Sequence, residues 1–515
     1  MATNVDRAAR DHAQDSAATE QTPLLATAYT GTSPDDLRKA YRRTVLFLCF
    51  VIIFIIEIAV GLFIPASTAI AELNICHAEH PGLRDGGDYS VCKGPEVQGR
   101  LAMLQGWQLT AECIPGIIGA IPYGLLADKW GRRPVLVLSL AGYTLYIVFM
   151  ILVLYAPSVF APEVILIGPV FALIGGSTMV ASAMAYTLIA DVVPVEDRAT
   201  VFFQFGAAFA VAELVSGPLA GAVMLKSSWL CMLLGLGLWI FANVLCCVVP
   251  ETLEIRRLAD RLEGTLGDGE ALDDAAATFA KDDSLEPLTS RVKRQLRHSA
   301  DEVRDFAVVN QGLLFLMLSL VFVVLSKVVR LLLLQFTTKK FNWSWSQGAF
   351  LLSIRSGSNL ANSLFLLPAI SSLLTNTFSL APIHKDVLIA RGTGVCGILG
   401  ALLIALAPDP ATLSVGLVVF GLAGGMAVAV RSLLNALVEP HHVGMLNTML
   451  GLLEQVGLMV AGPLFSQALK TGIDLGGAWI GLPFLVAAAY MVVATGIVFL
   501  FRVPQGSVGG DSLGP

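Results

Sequence analysis

The sequence predicts an all-α polytopic membrane protein, with about twelve transmembrane helices in two six-helix bundles. Three observations carry this expectation. Of 515 residues, 55% are hydrophobic and only 14% charged, whereas a soluble domain carries about 25% charged residues. The apolar residues recur in runs of about 20, the length a helix needs to cross roughly 30 Å of hydrocarbon. Residues 250–309 break the pattern with a charged stretch that leaves six runs on each side.

The chain opens with a polar tail, 1–43, whose start lacks the apolar core of a signal peptide. Within it, Glu20-Gln-Thr-Pro-Leu24-Leu25 has the form of an acidic dileucine sorting signal. The first six runs, 44–66, 101–126, 134–155, 163–190, 201–224 and 228–249, form an N-terminal bundle over 44–249. The linker 250–309 is read as solvated, with some helix. The runs 310–334, 347–373, 387–407, 411–437, 444–469 and 478–501 form a C-terminal bundle over 310–501, and 502–515 is a short tail.

Loop charge sets the orientation. Arg38, Lys39, Arg42 and Arg43 precede the first run. Lys129, Arg132, Arg133, Arg198, Lys385, Arg391 and Arg502 fall on the same side. The positive-inside rule places that side, both tails and the linker in the cytoplasm. Arg84, Lys93 and Arg100 in loop 72–100, and Lys339-Lys340, run against it.

Several function classes drop out. A net charge of −6 offers no basic footprint for nucleic acid. Six of the eight cysteines lie in apolar runs and read as small hydrophobes. With no metal-ligand spacing, nucleotide loop or nucleophile elbow, neither a metal, a cofactor nor a catalytic residue is expected, and the chain is not read as an enzyme. Cys76 and Cys92 share the non-cytoplasmic loop 72–100, where a disulfide can form; two free thiols are the alternative. Asn342-Trp-Ser344 is a glycosylation sequon on that face, close to the next run.

Charges inside apolar runs are costly, about 2.5–3.5 kcal/mol each on insertion scales, so each one is a functional candidate. The acidic set is Glu57, Glu112, Glu213 and Glu454; the basic set is Lys327, Arg330, Arg355 and Arg431. Glu213 precedes Pro218 by five residues and Glu454 precedes Pro463 by nine. The difference is about one helical turn, so the two carboxylates are expected to face one central cavity from corresponding helices. Glu213, Glu454 and Glu57 are the candidates for proton coupling. Glu112, Lys327, Arg330, Arg355, Asn359 and Arg431 are the candidates for a substrate cavity. Structural ion pairing is the competing reading, with Glu57–Lys327 and Arg431 with Glu213 or Glu454 as pairs. Glu112, beside Pro115, is also read as a residue that only bends its helix. Asn359 and Asn362 are open to either substrate contact or helix packing.

An internal repeat supports two related halves. Pro194 and Pro440 lead to Gly217-Pro218 and Gly462-Pro463 over 24 and 23 residues, and Gly175-Gly176 has a counterpart in Gly424-Gly425. Repeated halves are typical of transporters, with the site between them near the bilayer midplane.

The loop after the second run reads Gly124-Leu-Leu-Ala-Asp128-Lys129-Trp130-Gly131-Arg132-Arg133-Pro134. It resembles the loop 2–3 signature of the major facilitator superfamily. Asp191-x-x-Pro194-x-x-x-Arg198 and Pro250-Glu251-Thr252 resemble further patterns of that family. Phe341-Asn-Trp-Ser-Trp-Ser-Gln347 and Leu351-Leu-Ser-Ile-Arg355 look like its fungal drug- and metabolite-efflux members. The resemblance covers about residues 40–502 and implies a motif loop that latches the cytoplasmic side in the outward-open state. Gly124 would permit close helix approach, Gly131 a turn, and the arginines contacts with acidic groups or lipid headgroups. Gly217, Pro218 and Gly221 retain part of the antiporter motif, but without its full glycine spacing. No second copy of the loop signature follows run eight, and the run-four arginine of many proton antiporters is missing. The resemblance therefore implies a secondary transporter, favouring proton-driven efflux of a small organic compound from a monomer in the plasma or vacuolar membrane. The alternatives are a proton-coupled importer of an organic anion or nutrient, with Arg355 and Arg431 as the anion's partners, and a non-transporting receptor or scaffold.

Overall fold

A computed structural model describes residues 34–81, 89–253, 311–438 and 443–501. The dileucine segment, the linker from 254 and the C-terminal tail lie outside the described residues. The helices are α1 (Pro34–Glu79), α2 (Pro95–Trp130), α3 (Arg132–Tyr155), α4 (Ser177–Val192), α5 (Val195–Met224) and α6 (Ser228–Cys246). The second set is α7 (Gln311–Lys340), α8 (Trp345–Ala361), α9 (Leu367–Asn376), α10 (Pro382–Leu406), α11 (Pro410–Leu422), α12 (Gly424–Leu437), α13 (Val443–Leu475) and α14 (Leu482–Leu500).

Among the described residues, 11 helical stretches are long and apolar enough to cross a membrane. The twelfth pass is α8 and α9, joined by a π-helical turn at Asn362–Leu366 into one rod. The interruption and Arg355 keep its two pieces below the length and apolarity of an ordinary span. Exposed Leu, Val, Phe and Ile on the outer faces suit a lipid environment, where backbone groups are satisfied inside each helix.

The Gly-Gly pairs mark real breaks. A 3-10 segment, Pro162–Leu173, ends before α4 at Gly175 and Gly176, whose φ values are 90° and 80°. A Cβ on Gly175 would collide with the Ser139 backbone, so glycine alone fits there. The counterpart pass divides at Ala423, between α11 and α12.

Two expectations need correction. The first helix runs on past 66 to Glu79, so the loop expected from 72 begins with about two turns of helix. Hydropathy dips at Thr68, Glu72 and Asn74, yet Thr68 and Glu72 are buried inside the bundle. Gly124 makes no close approach, since a Cβ there would meet nothing within 4 Å.

The bundle has two ends. One carries Gly131 and is called here the motif end. The other carries a Cys76–Cys92 disulfide and is called the disulfide end. The basic residues that ran against the loop-charge pattern have partners at the disulfide end. Lys93 Nζ lies 2.7 Å from Glu72, and Arg100 bonds Glu79 at 2.7 Å and Glu163 at 2.6 Å. Lys340 Nζ donates to the Ala405 carbonyl at 3.2 Å. Arg84 lies outside the described residues.

Candidate translocation site

A cavity of about 670 Å³ lies between the two bundles, lined by α2 and α5 on one side and by α7, α8, α11, α12, α13 and α14 on the other. Phe202, Phe203, Phe209, Phe420 and Met491 make its wall largely apolar. Glu213, Arg355 and Asn359 are its principal polar groups. Arg355 Nη2 donates to Glu213 Oε1, joining the halves across the cavity. Of the two pairings expected for Arg431, the structure has the one with Glu454 and gives Glu213 to Arg355 instead.

Two smaller pockets adjoin the cavity. One of about 150 Å³ holds Glu112, Gln108 and Tyr146, and shares Leu109 and Leu331 with the central wall. The other, about 130 Å³, holds Glu57 and shares Glu213 and Arg355. Glu112 does more than bend α2, which stays helical from 95 to 130. Its Oε1 accepts from Tyr146 at 2.5 Å and Gln108 at 3.1 Å. The side chains of Lys327 and Arg330, and hence the Glu57–Lys327 pair, lie outside the described residues.

Glu454 does not share the cavity with Glu213. It bonds Arg431 at 2.6 Å, and the Arg431 side chain is 45% exposed. α5 and α13 run in the same direction, so a carboxylate four residues further from its proline sits about 6 Å nearer the motif end. The offset that was expected to keep the two in register instead separates them. Asn359 faces the cavity, while buried Asn362 donates to the Leu422 carbonyl at 3.2 Å and packs α8 onto α11. A Cβ on Gly424 would meet Asn359 Oδ1 at 2.5 Å, so the second Gly-Gly pair makes room for that side chain.

The loop patterns singled out in the sequence converge at the motif end. Gly131 has φ 112°, and a Cβ there would collide with Glu251 Oε2. Glu251 accepts from the backbone N–H groups of Arg132 at 2.9 Å and Arg133 at 3.0 Å. Both are first-turn donors of α3 with no helical partner, and the positive helix end favours a carboxylate. Arg132 bonds Asp128 at 2.5 Å and lies 3.7 Å from Asp191, which accepts from Thr252 at 2.7 Å. Three separate sequence patterns are thus one cluster. Asp128, with a side chain 67% exposed, and Lys129 face outward.

At the disulfide end the halves are sealed. Glu72 accepts from Lys93 and Gln98 of its own half, and from Trp345 Nε1 of the other at 2.6 Å. Gln335 donates to Gln98 O at 2.7 Å, and Lys339 to Lys93 O. Deeper in, Gly106 and Gly462 touch: a Cβ on Gly462 would run into Gly106 O. Gly217 and Gly221 press on α8, where added Cβ atoms would meet Ser353 at 2.6 Å and Phe350 at 2.7 Å. Pro218 sits within α5 without ending it. Asn342 is exposed, with φ 55°, just before the Ser344 cap of α8.

Sequence reasoning missed Glu72, Gln98, Gln105 and Gln108. A signal was present: Glu57, Gly61, Thr68 and Glu72 repeat on one face of α1, as do Gln98, Gln105, Gln108 and Glu112 on α2.

Known proteins share this architecture. The crystal structure of a D-xylose–proton symporter superposes with a TM-score of 0.61 at 14% identity, covering 90% of this chain and 99% of that one. That of the nucleoside transporter NupG gives 0.55 at 14% identity, over 89% of this chain and 100% of its own. The MFS efflux pump atnC of Emericella nidulans is 32% identical over 81% of this chain and 78% of its own length. The efflux pump ustT of Aspergillus flavus is 31% identical over 87% and 86%. Residues 46–381 match the Major Facilitator Superfamily. The chain is therefore a multi-pass membrane transporter, not an enzyme, and it belongs to the Major Facilitator Superfamily.

Proposed function

We propose that this protein exports small, largely apolar organic molecules by alternating access, driven by protons, with its motif end in the cytoplasm. The observation that carries the reading is the Glu213–Arg355 pair, which spans the two halves on the wall of a mostly apolar cavity. A proton arriving on Glu213 would weaken that bond and let the halves part, coupling proton movement to the cycle. The names of atnC and ustT as efflux pumps support the direction. An organic-anion importer fits less well, because Arg355 and Arg431 already hold Glu213 and Glu454. We further propose a monomer in the plasma membrane, with the vacuolar membrane as the alternative the dileucine segment supports. Cys76–Cys92 and a glycosylated Asn342 would then face away from the cytoplasm.

The test is flux in proteoliposomes after a pH jump, across a panel of apolar compounds. Wild-type protein should move at least one compound against its gradient. Glu213→Gln should abolish pH-driven flux while leaving downhill exchange. Undiminished coupling in that variant would remove Glu213 from the proton path.

A further inference from the structure

We propose that the pocket at Glu112 is a subsite for a protonated amine carried by the transported molecule. The inference rests on the export reading above and names the chemistry its cargo would carry.

Three other buried or half-buried carboxylates within the bundle have cationic partners. Glu72 has Lys93, Glu213 has Arg355 and Glu454 has Arg431. Among the described residues, Glu112 has no such pair. Its recorded partners are neutral donors, Tyr146 and Gln108, and both bond the same oxygen, Oε1. Oε2 remains for a visitor. A carboxylate in the membrane interior is costly unless a cation or proton compensates it.

The rest of the lining is biased towards acceptors. Gln108 Nε2 is spent on Glu112 and on Tyr146 at 2.7 Å. Gln105 Nε2 donates to Thr68 Oγ1 at 3.3 Å, and Thr68 donates to the Ile64 carbonyl at 2.8 Å. The groups left over include Gln105 Oε1, buried without a partner, and Ser466 Oγ, likewise unpartnered on a residue only 1% exposed. Both residues line the pocket. An alkylammonium carries three donors and no acceptor, and Glu112 Oε2, Gln105 Oε1 and the Ser466 hydroxyl can each accept from it. An anionic group would meet Glu112 instead. At about 150 Å³ the pocket admits a substituent, not a whole drug-sized molecule, and Leu109 and Leu331 are common to it and the central cavity. A ligand body in the cavity would reach in with its amine.

Dansylcadaverine, an apolar fluorophore with a primary amine, and its N-acetyl derivative provide the test. Binding of each is measured by fluorescence on the purified full-length protein. Wild type should bind the amine about tenfold or more tightly than the amide, as a set of charge-assisted hydrogen bonds would give. Glu112→Gln should erase that preference, bringing the two affinities within about twofold of each other, and Glu112→Asp should keep part of it. A thermal melt of each variant establishes that it is folded. Equal affinity for the two probes in wild type, a preference that survives Glu112→Gln, or binding of neither probe overturns the proposal. pH-driven flux of the amide, measured in parallel, separates the two readings. Flux without amine preference leaves the export reading standing and removes the subsite. Amine preference without any driven flux does the reverse.

Discussion

Glu251 shows how much one side chain can organise. Its two oxygens cap the first turn of α3 through Arg132 and Arg133, and its Oε1 also accepts from Thr252 and Leu253 N–H groups at 3.0 and 3.1 Å. The loop can turn this tightly only because position 131 is glycine. Gly131→Ala would force a side chain into a left-handed conformation against the carboxylate, costing about 1–3 kcal/mol. Glu251→Ala would remove a helix-end charge interaction of about 1–2 kcal/mol. The two effects are coupled, because deleting the carboxylate clears the space that the added methyl group needs. Melting temperatures in detergent should fall for each single variant, and the double variant should be less affected than the sum. Strict additivity would mean that the clash is relieved elsewhere. The motif at 124–134 was legible as a motif, and Arg132 does meet acidic groups as expected. Its acceptor Glu251, over a hundred positions away, was legible only as part of a separate pattern. Sequence periodicity reports one helix face at a time and does not say which distant carboxylate caps it.

Helices carry the same lesson at larger scale. Apolar run length located every pass, because crossing hydrocarbon demands it. It misjudged α1, where polar residues at 68–74 face inward, and it could not foresee the π turn in the eighth pass. π turns occur often at functional sites, and this one adjoins Asn359 and Ser363 of the cavity. The proline offsets placed Glu213 and Glu454 on corresponding helices, but depth along the helix decided their surroundings. Glycines differ just as sharply by place. Gly106 on α2 touches Gly462 and Ser466 of α13, where an added Cβ would collide with Ser466 Oγ. Gly237 on α6 faces open space. Gly106→Val should therefore wedge α2 from α13, lower stability by about 1–3 kcal/mol and stop transport. Gly237→Val should leave both within experimental error. Thermal melts and flux assays on the pair check this, and equal behaviour of the two variants would count against a tight α2–α13 contact.

Among the described residues, the inter-half bonds gather from mid-membrane to the disulfide end, while α9 at the motif end has no buried residue. A cavity whose halves are bonded together at the disulfide end is one state of an alternating pair. To reach the other state, the disulfide end must open. Glu72 would keep Lys93 and Gln98, which belong to its own half, and lose Trp345, which does not. Lys93 Nζ also stands 5.0 Å from the Trp345 ring. Trp345→Phe therefore removes the inter-half hydrogen bond and keeps an aromatic ring for the lysine. A hydrogen bond to a charged group contributes about 1.5–3 kcal/mol, which corresponds to a shift of roughly ten- to a hundredfold towards the open disulfide end. Spin labels at Val91 and Trp479, exposed positions near that end in opposite halves, would report the change as a longer distance. Cys247 and Cys396 must first be replaced, since the other free cysteines are buried. If Trp345→Phe leaves the distance distribution unchanged, Glu72–Trp345 is not what holds this end shut. If Glu72→Gln lengthens the distance as Trp345→Phe does, the carboxylate charge is itself part of the seal, and protonation from the disulfide side becomes a way to open it.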